Sequence, residues 1–518
     1  MMLLTDHQVQ SFISSGLMEI ALPELDQVHY EIDLRLREIC ETESHHGNNI
    51  LPRMPILQQV LRHEKIHGAL VSLLGPGYLV HPHRAIHRST PLKEVLEDFS
   101  FSADRHLMGH GSTATSIWHQ DAQSPLARAR HHFPRFLIGF YFPHEVDSAM
   151  GPTRFLRASY CDNGPYLNRA IYQPEHVRAG TFFLGHFDIA HAGFPNISNI
   201  DRFMLKFVFA RTNSPTCPTW NNESANWSSF DSESVETSLY EPAAAFIWNR
   251  MLGQTGAEPA SETSQSSLSP NLASQDKRLK LIYGGKEGLS IPDCMESLGL
   301  VAGKRKHERL QENLRDSTKG YPIRWNERAI VVETAAYRLA ALGENSVDAI
   351  HSLMESEDPW LHVNAAFVAG EIGVGTSELT SHLKKLLQSP HHQVVRQAID
   401  ALALTKIDDD RDLLQQLKNL VSNKRQSWQS ALVQRGWNAG DQIDVNIAMF
   451  LLSKHKNYKA RDFMDLAVLI LKNSNDYACS IVGEALIRSR GQEAQELAIN
   501  YFQDRAWNTS LLGKNRAY

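Results

Sequence analysis

The sequence predicts a multidomain chain in which a strand-rich N-terminal unit with flanking helices is joined to an entirely helical C-terminal unit. Three observations predict it. The segment from about Phe136 to Arg211 is strand-like and punctuated by turn residues. The stretch GQTGAEPASETSQSSLSPNLASQ is rich in Ser, Gln, Pro and Ala without periodicity, the composition of a flexible linker. Beyond it, small and apolar residues recur with a period of about thirty, the mark of stacked helix pairs.

In chain order, Thr5 with Gln8 forms a capping box ahead of an amphipathic first helix, and LDQVHYEIDLRLREIC continues the helical pattern. AGTFFLGHFDIAHAG then reads as a strand, GFPNISNID as a turn-rich connection and RFMLKFVFAR as the next strand. The polar stretch TNSPTCPTWNNESANWSSFDSESVETS reads as a structured connection, with folding back over the strand-rich unit as its alternative, and Glu241 to Leu252 looks helical. The C-terminal segments Ala335 to Gly343, Ala365 to Gly373 and Gln397 to Thr405 align, with Asp358-Pro359 and Ser389-Pro390 as helix openers. VNIAMFLLS and YACSIVGEALIRS continue less regularly, so about five helix pairs are expected from Glu327 onward. The expected divisions are 1–212, a connecting segment 213–253, a linker 254–276, and helices over 277–518.

The chemistry lies in two histidines and an aspartate: His119 and Asp121 in IWHQDAQ, and His191 in FFLGHFDIAHAG. Residues i and i+2 of an extended strand share a side, so His119 and Asp121 can meet one metal while Gln120 points away. Two neutral imidazoles and one carboxylate occupy one face of an octahedral Fe(II). Three adjacent positions stay open for a bidentate 2-oxo acid and O2. Arg202 opens the strand after His191, and its planar, permanently charged fork suits the far carboxylate of 2-oxoglutarate.

On these residues the chain resembles the phytanoyl-CoA dioxygenase family of Fe(II) and 2-oxoglutarate oxygenases. Four blocks carry the likeness over roughly the first 210 residues: LTDHQVQSFISSG, WHQD, GPTRFL, and the stretch from His191 through Pro195, Asn196 and Ser198 to Arg202. The resemblance implies a double-stranded β-helix, a cupin-like jelly roll with the metal in its mouth. It also implies co-substrate contacts from Thr153 and from the position of Gly193, where the family often has a small polar residue. The usual Gly-Ser-His after the GPT-like block reads Ala158, Ser159, Tyr160 near the expected substrate entrance, so the namesake's acyl-CoA substrate is not carried over.

Other histidines compete for attention, since the chain has 25. His186 with Asp188 forms a second His-x-Asp, set aside because no histidine follows at a plausible distance before the strands end; His186 reads as a strand histidine hydrogen-bonded within the protein. His45 and His46, His81 with His83 and His87, His131 and His132, and His391 and His392 lack a carboxylate and arginine in register, and read mostly as solvated loop residues. Arg128, Arg130, His131, His132 and Arg135 make the segment after the metal pair basic, either to attract an anionic substrate or simply as a solvated loop. Arg154 and Arg157 are better placed to reach the mouth.

A length of 518 residues suggests two to three domains, and 42% hydrophobic content is ample for real cores. A net charge of −6 argues against general nucleic-acid binding. No apolar run approaches the ~18 residues of a membrane span, and nothing in MMLLTDHQ marks the N-terminus for export. Five scattered cysteines, odd in number and without a CxxC pair, favour reduced thiols in the cytoplasm.

The helical pattern resembles HEAT-type α-solenoids, whose concave surface would recognise a protein, peptide or carrier-borne substrate, or would simply brace the barrel. The whole reads as an Fe(II)- and 2-oxoglutarate-dependent oxygenase using O2. Asp121 fills the position a halogenase must vacate, so hydroxylation of an unactivated C–H bond, or a related desaturation or oxidative cleavage, is expected. The alternative is a catalytically inactive barrel carried by a helical scaffold. On this reading an enzyme for small molecules should work without residues after about 275, whereas one for protein-borne substrates should not.

Overall fold

The computed structural model describes residues 1–42, 50–92, 118–121, 129–162, 169–228, 239–254, 274–302, 332–373, 375–407, 410–430, 438–456 and 460–507. The expected linker, apart from 254 and 274–276, lies outside the described residues, as do Arg128, His45 and His46.

The strands are β1 (Leu17–Ile20), β2 (Leu79–Ser89), β3 (Phe136–Phe142), β4 (Val146–Asp147), β5 (Arg154–Leu156), β6 (Ile171–Tyr172), β7 (His176–Val177), β8 (Thr181–His186), β9 (His191–Ala192) and β10 (Arg202–Ala210). They form a jelly roll. A five-stranded antiparallel sheet in the order β1-β8-β3-β10-β2 faces a three-stranded sheet, β6-β5-β9, with β4-β7 as a separate ladder. His119 extends the smaller sheet by bridging His191, each backbone N–H donating to the other's carbonyl at 3.1 and 3.0 Å. Aromatic rings fill the space between the sheets: Phe155 lies 5.1 Å from Phe140 and 5.5 Å from Phe183, centroid to centroid. β3 and β10 are buried along their whole length, which is why FLIGFYF and RFMLKFVFA read as near-continuous apolar runs without alternation, interrupted in β10 by Arg202 and Lys206.

The first helix, Asp6–Ser15, opens with the expected capping box from Thr5 and Gln8 and ends on Gly16 in the left-handed region, where a Cβ is costly. The connecting segment packs against this helix: Asp6 accepts from Trp220 Nε1 at 2.6 Å and from the backbone of Glu223 and Ser224, and the helix Glu241–Met251 packs alongside.

Among the described residues the C-terminal part is wholly helical, and it forms two rows. The inner row comprises Thr334–Ala341, Pro359–Ile372, His392–Leu404, Ala439–Lys454 and Asp476–Ser489; the outer comprises Val347–Glu355, Ser377–Leu386, Arg411–Ser422, Ala460–Asn473 and Gln492–Trp507. These are the five expected pairs. The inner helix Pro359–Ile372 is apolar nearly all round because it is covered on both sides, while outer helices such as Arg411–Ser422 keep one apolar stripe.

The jelly roll takes up part of the inner row. Glu371 accepts from His131 Nδ1 at 2.7 Å and Arg250 Nη1 at 2.6 Å; Asp400 accepts from Arg135 Nη2 at 2.7 Å; and Tyr337 donates to the Arg130 carbonyl at 2.8 Å. His132 stacks on Tyr337 at 4.1 Å and 3°, and its Nδ1 pairs with the Tyr283 hydroxyl. This corrects both readings of the basic segment. Arg130, His131, His132 and Arg135 are each at most 4% exposed, so they neither line a solvated loop nor steer a substrate. His81 and His392 are likewise buried rather than solvated. Deleting the helices would strip these groups of partners whatever the substrate, so such a deletion does not separate the two substrate classes. Among the described residues no helix is long and apolar enough to cross a membrane, and all five cysteines are free.

Candidate metal centre

His119, Asp121 and His191 converge, with ligand atoms all within 4.8 Å of one another. His119 and His191 face each other across the bridge with ring centroids 4.4 Å apart, and Phe140 meets the His191 ring edge-on at 5.0 Å. His191 Nδ1 lies 3.1 Å from the Ile189 carbonyl, which makes it the N–H donor and leaves the Nε2 lone pair for a metal. Burial, with His119 beside it, pushes the His191 imidazole well below its ordinary range, so it is neutral as a ligand must be.

Asp121 is 4% exposed. Its Oδ1 lies 3.7 Å from His119 Nε2 and has no hydrogen-bond partner among the described residues, whereas Oδ2 is in contact with Lys206 Nζ. Burial pushes the carboxyl up, but Lys206, His191 and His119 together hold it well below the usual carboxylate range. A buried, ionised oxygen without a donor is costly unless a cation completes it. The donor set of two imidazoles and one such oxygen fits octahedral Fe(II). Gln120 points away, as the strand period requires, and its amide donates to the carbonyls of Ser159, Asp162 and Asp188 at 3.1, 2.8 and 2.8 Å. That anchor fixes the backbone from which both ligands project.

Arg202 opens β10 opposite Ser89 of β2. Its Nη1 donates to the Gly151 carbonyl at 2.6 Å, and its buried Nε has no partner among the described residues. Burial lowers its pKa to about 10, which still leaves it charged at neutral pH. Gly151 sits at φ +69° with the carbonyls of Pro195 and Phe194 where a Cβ would go, so glycine is required where the arginine is anchored. Thr153 is buried. Gly193 faces open space, and its carbonyl accepts from Arg154 Nη2 at 3.1 Å. Arg154 is fully buried between Trp118 and Phe194, on the other side of β5 from Phe155, so it does not reach into the mouth. Tyr160 also departs from expectation, since its hydroxyl donates to the Ile13 carbonyl at 2.6 Å and its ring stacks on His186. It faces the first helix, not a substrate entrance. His186 is bonded internally, its Nδ1 accepting from Asp188 N at 3.1 Å.

The residues 324–404 match the family model of HEAT repeats. Among curated proteins none matches the chain. Solved structures similar to the N-terminal part include a non-haem monooxygenase in a ThoJ–nickel complex, at 16% identity over 42% of this chain and 83% of that one, with a TM-score of 0.29. HygX from Streptomyces hygroscopicus with nickel and 2-oxoglutarate bound is 11% identical over 45% and 94%, TM-score 0.29. EctD from S. alaskensis with bound Fe is 14% identical over 40% and 77%, TM-score 0.31.

Sequence reasoning missed Lys206 although its signal was present: it is the one charge besides Arg202 within RFMLKFVFA and, four residues on from that arginine, shares its strand face. A second grouping, His351, Glu378 and His382, lies on the outer helix row, but Glu378 is 69% exposed and demands no cation.

Proposed function

We propose that this chain is a non-haem Fe(II)- and 2-oxoglutarate-dependent oxygenase of the phytanoyl-CoA dioxygenase type, hydroxylating an unactivated C–H bond of an organic substrate. The observation that carries the reading is the buried Oδ1 of Asp121, without a hydrogen-bond partner among the described residues and facing His119 and His191 in a set that fits one metal. His119, Asp121 and His191 hold the iron. Arg202 pairs with the far carboxylate of 2-oxoglutarate, with Thr153 and Gly193 beside it. When bound, iron and 2-oxoglutarate together supply O2 activation, with succinate and CO2 as co-products. Asp121 occupies the position chloride would need, so halogenation is not proposed. Five free cysteines suit a reducing, cytoplasmic setting.

One observation favours a second reading. The Lys206 ammonium against Asp121 is itself a cation at the ligand carboxylate, as in a barrel kept for scaffolding alone. Anaerobic addition of Fe(II) and 2-oxoglutarate to metal-free protein decides between them. A weak visible charge-transfer band that is lost in Asp121→Ala and reduced in Arg202→Ala supports the oxygenase; no band in folded, iron-loaded wild type leaves the scaffold.

A further inference from the structure

β2 does not run evenly beside β10. Phe207 pairs with Arg84 and Val208 with His81, so Pro82 and His83 are extra residues in a bulge. Bulges beside active sites re-aim side chains, and proline, lacking an N–H, is tolerated there. The His83 N–H, which the ladder no longer uses, donates to His81 Nδ1 at 3.1 Å.

The bulge is held from the helical region. Tyr477, on the inner helix Asp476–Ser489, lies beside both rings, with centroids 6.1 Å from His81 and 6.0 Å from His83, and its hydroxyl is 3.0 Å from His83 Nδ1. Arg488 of the same helix donates to the carbonyls of Gly77 and Tyr78, at 2.6 and 2.8 Å, just ahead of β2. One helix thus grips both the approach to β2 and its bulge.

The register gives the bulge its position in the site. Along the paired strands Arg202 lies opposite Ser89, Met204 opposite His87 and Lys206 opposite Ala85, with His83 beyond. Co-substrate would extend from Arg202 towards the triad, so His83 lies on the far side, where substrate must approach. Burial pushes the His83 imidazole down to about 4, Lys206 adds to that and Asp121 opposes it, so the ring is neutral and within range of the charges of the metal centre. With Nδ1 taken by Tyr477, Nε2 makes no hydrogen bond within the described residues.

Resting on the oxygenase reading, we infer that His83 contacts a hydrogen-bonding group of the substrate, and that Tyr477 of the helical region is the positioning residue that aims it. The helices therefore form part of the substrate wall. The substrate class that fits carries a polar group close to the carbon attacked, which a plain alkyl chain lacks.

The test uses full-length Tyr477→Phe, His83→Gln and the double variant. In iron-free protein labelled with 15N-histidine, His83, assigned by its loss in His83→Gln, should show one tautomer in wild type and an altered tautomer ratio in Tyr477→Phe. In protein loaded with Fe(II) and 2-oxoglutarate and supplied with a short hydroxy- or amino-substituted organic acid as substrate surrogate, each single variant should change the rate at which the charge-transfer band decays under O2 by the same factor, at least about threefold, and the double variant should go no further. Unchanged His83 resonances in Tyr477→Phe, or decay effects that add in the double variant, would overturn the inference. If Tyr477→Phe fails to fold, His83→Gln approaches the same bond from the strand, and an unchanged decay rate there overturns the inference equally. A wild type that shows no band removes the oxygenase reading and with it the substrate contact; the resonances of iron-free protein then decide the Tyr477–His83 link alone.

Discussion

Replacing Glu371 by alanine removes the carboxylate that accepts from the buried His131 imidazole and from the largely buried Arg250 guanidinium. Glu371 is 7% exposed, His131 2% and Arg250 14%, and Arg250 also donates to the Glu371 carbonyl. Breaking a buried pair from one side costs about 3–5 kcal/mol, because the remaining charge stays desolvated. With an unfolding entropy of about 2.1 cal/mol/K per residue, a unit of roughly 240 residues would lose about 6–10 °C in Tm, and a chain melting as one about half that. Scanning calorimetry at pH 7 reads the difference, and its size reports whether barrel and helices unfold together. The pH dependence has a definite sign. Burial pushes the Glu371 carboxyl up, but Arg250 and His131 hold it below the ordinary range. Its charge then stabilises fully above the unfolded value of about 4.3 and is lost as pH falls through the folded value. The gap between wild type and Glu371→Ala should therefore be constant from pH 8 to 5 and narrow below about pH 4.3. A Tm within about 1 °C of wild type at pH 7 would refute the idea that this contact couples the two parts.

Lys206→Met takes a positive charge away from the metal carboxylate, so Fe(II) or Mn(II) should bind about tenfold more tightly; weaker binding in a titration would instead make Lys206 the group that orients Asp121. Gly151→Ala forces a Cβ against Pro195 and Phe194 at positive φ and shifts the carbonyl that anchors Arg202. We expect about 1–3 kcal/mol of lost stability together with weaker 2-oxoglutarate binding, checked by thermal melts and by titrating the charge-transfer band; normal 2-oxoglutarate affinity would disconnect Gly151 from the arginine. Truncation after residue 275 should yield insoluble protein, read by expression and gel filtration, since it uncovers Arg130, His131, His132 and Arg135 together. A soluble, monomeric fragment would show that the barrel does not need the helices.

Periodicity and spacing carried much of this protein into its sequence. The His119, Asp121 and His191 pattern is legible because a metal needs particular donor atoms, and a strand period of two puts two of them on one side. The helix pairs are legible because each repeat must bury the same faces against its neighbours. The capping box at Thr5 and Gln8 is a local hydrogen-bonding device that four residues suffice to announce. None of these depends on knowing what lies across the fold.

What tertiary structure decided are the contacts between segments remote in the chain. Arg130 to Arg135 look like any basic loop until Glu371, Asp400 and Tyr337 arrive from more than 200 positions away and bury them. Tyr477 is one more aromatic on a helix until it meets a bulge in β2, and that bulge exists only as a mismatch between two strands. The sequence by itself determined the donor atoms and the repeating unit, both properties of local spacing. Only folding decided which charges are desolvated and which side chains share a wall, because desolvation is set by every neighbour at once.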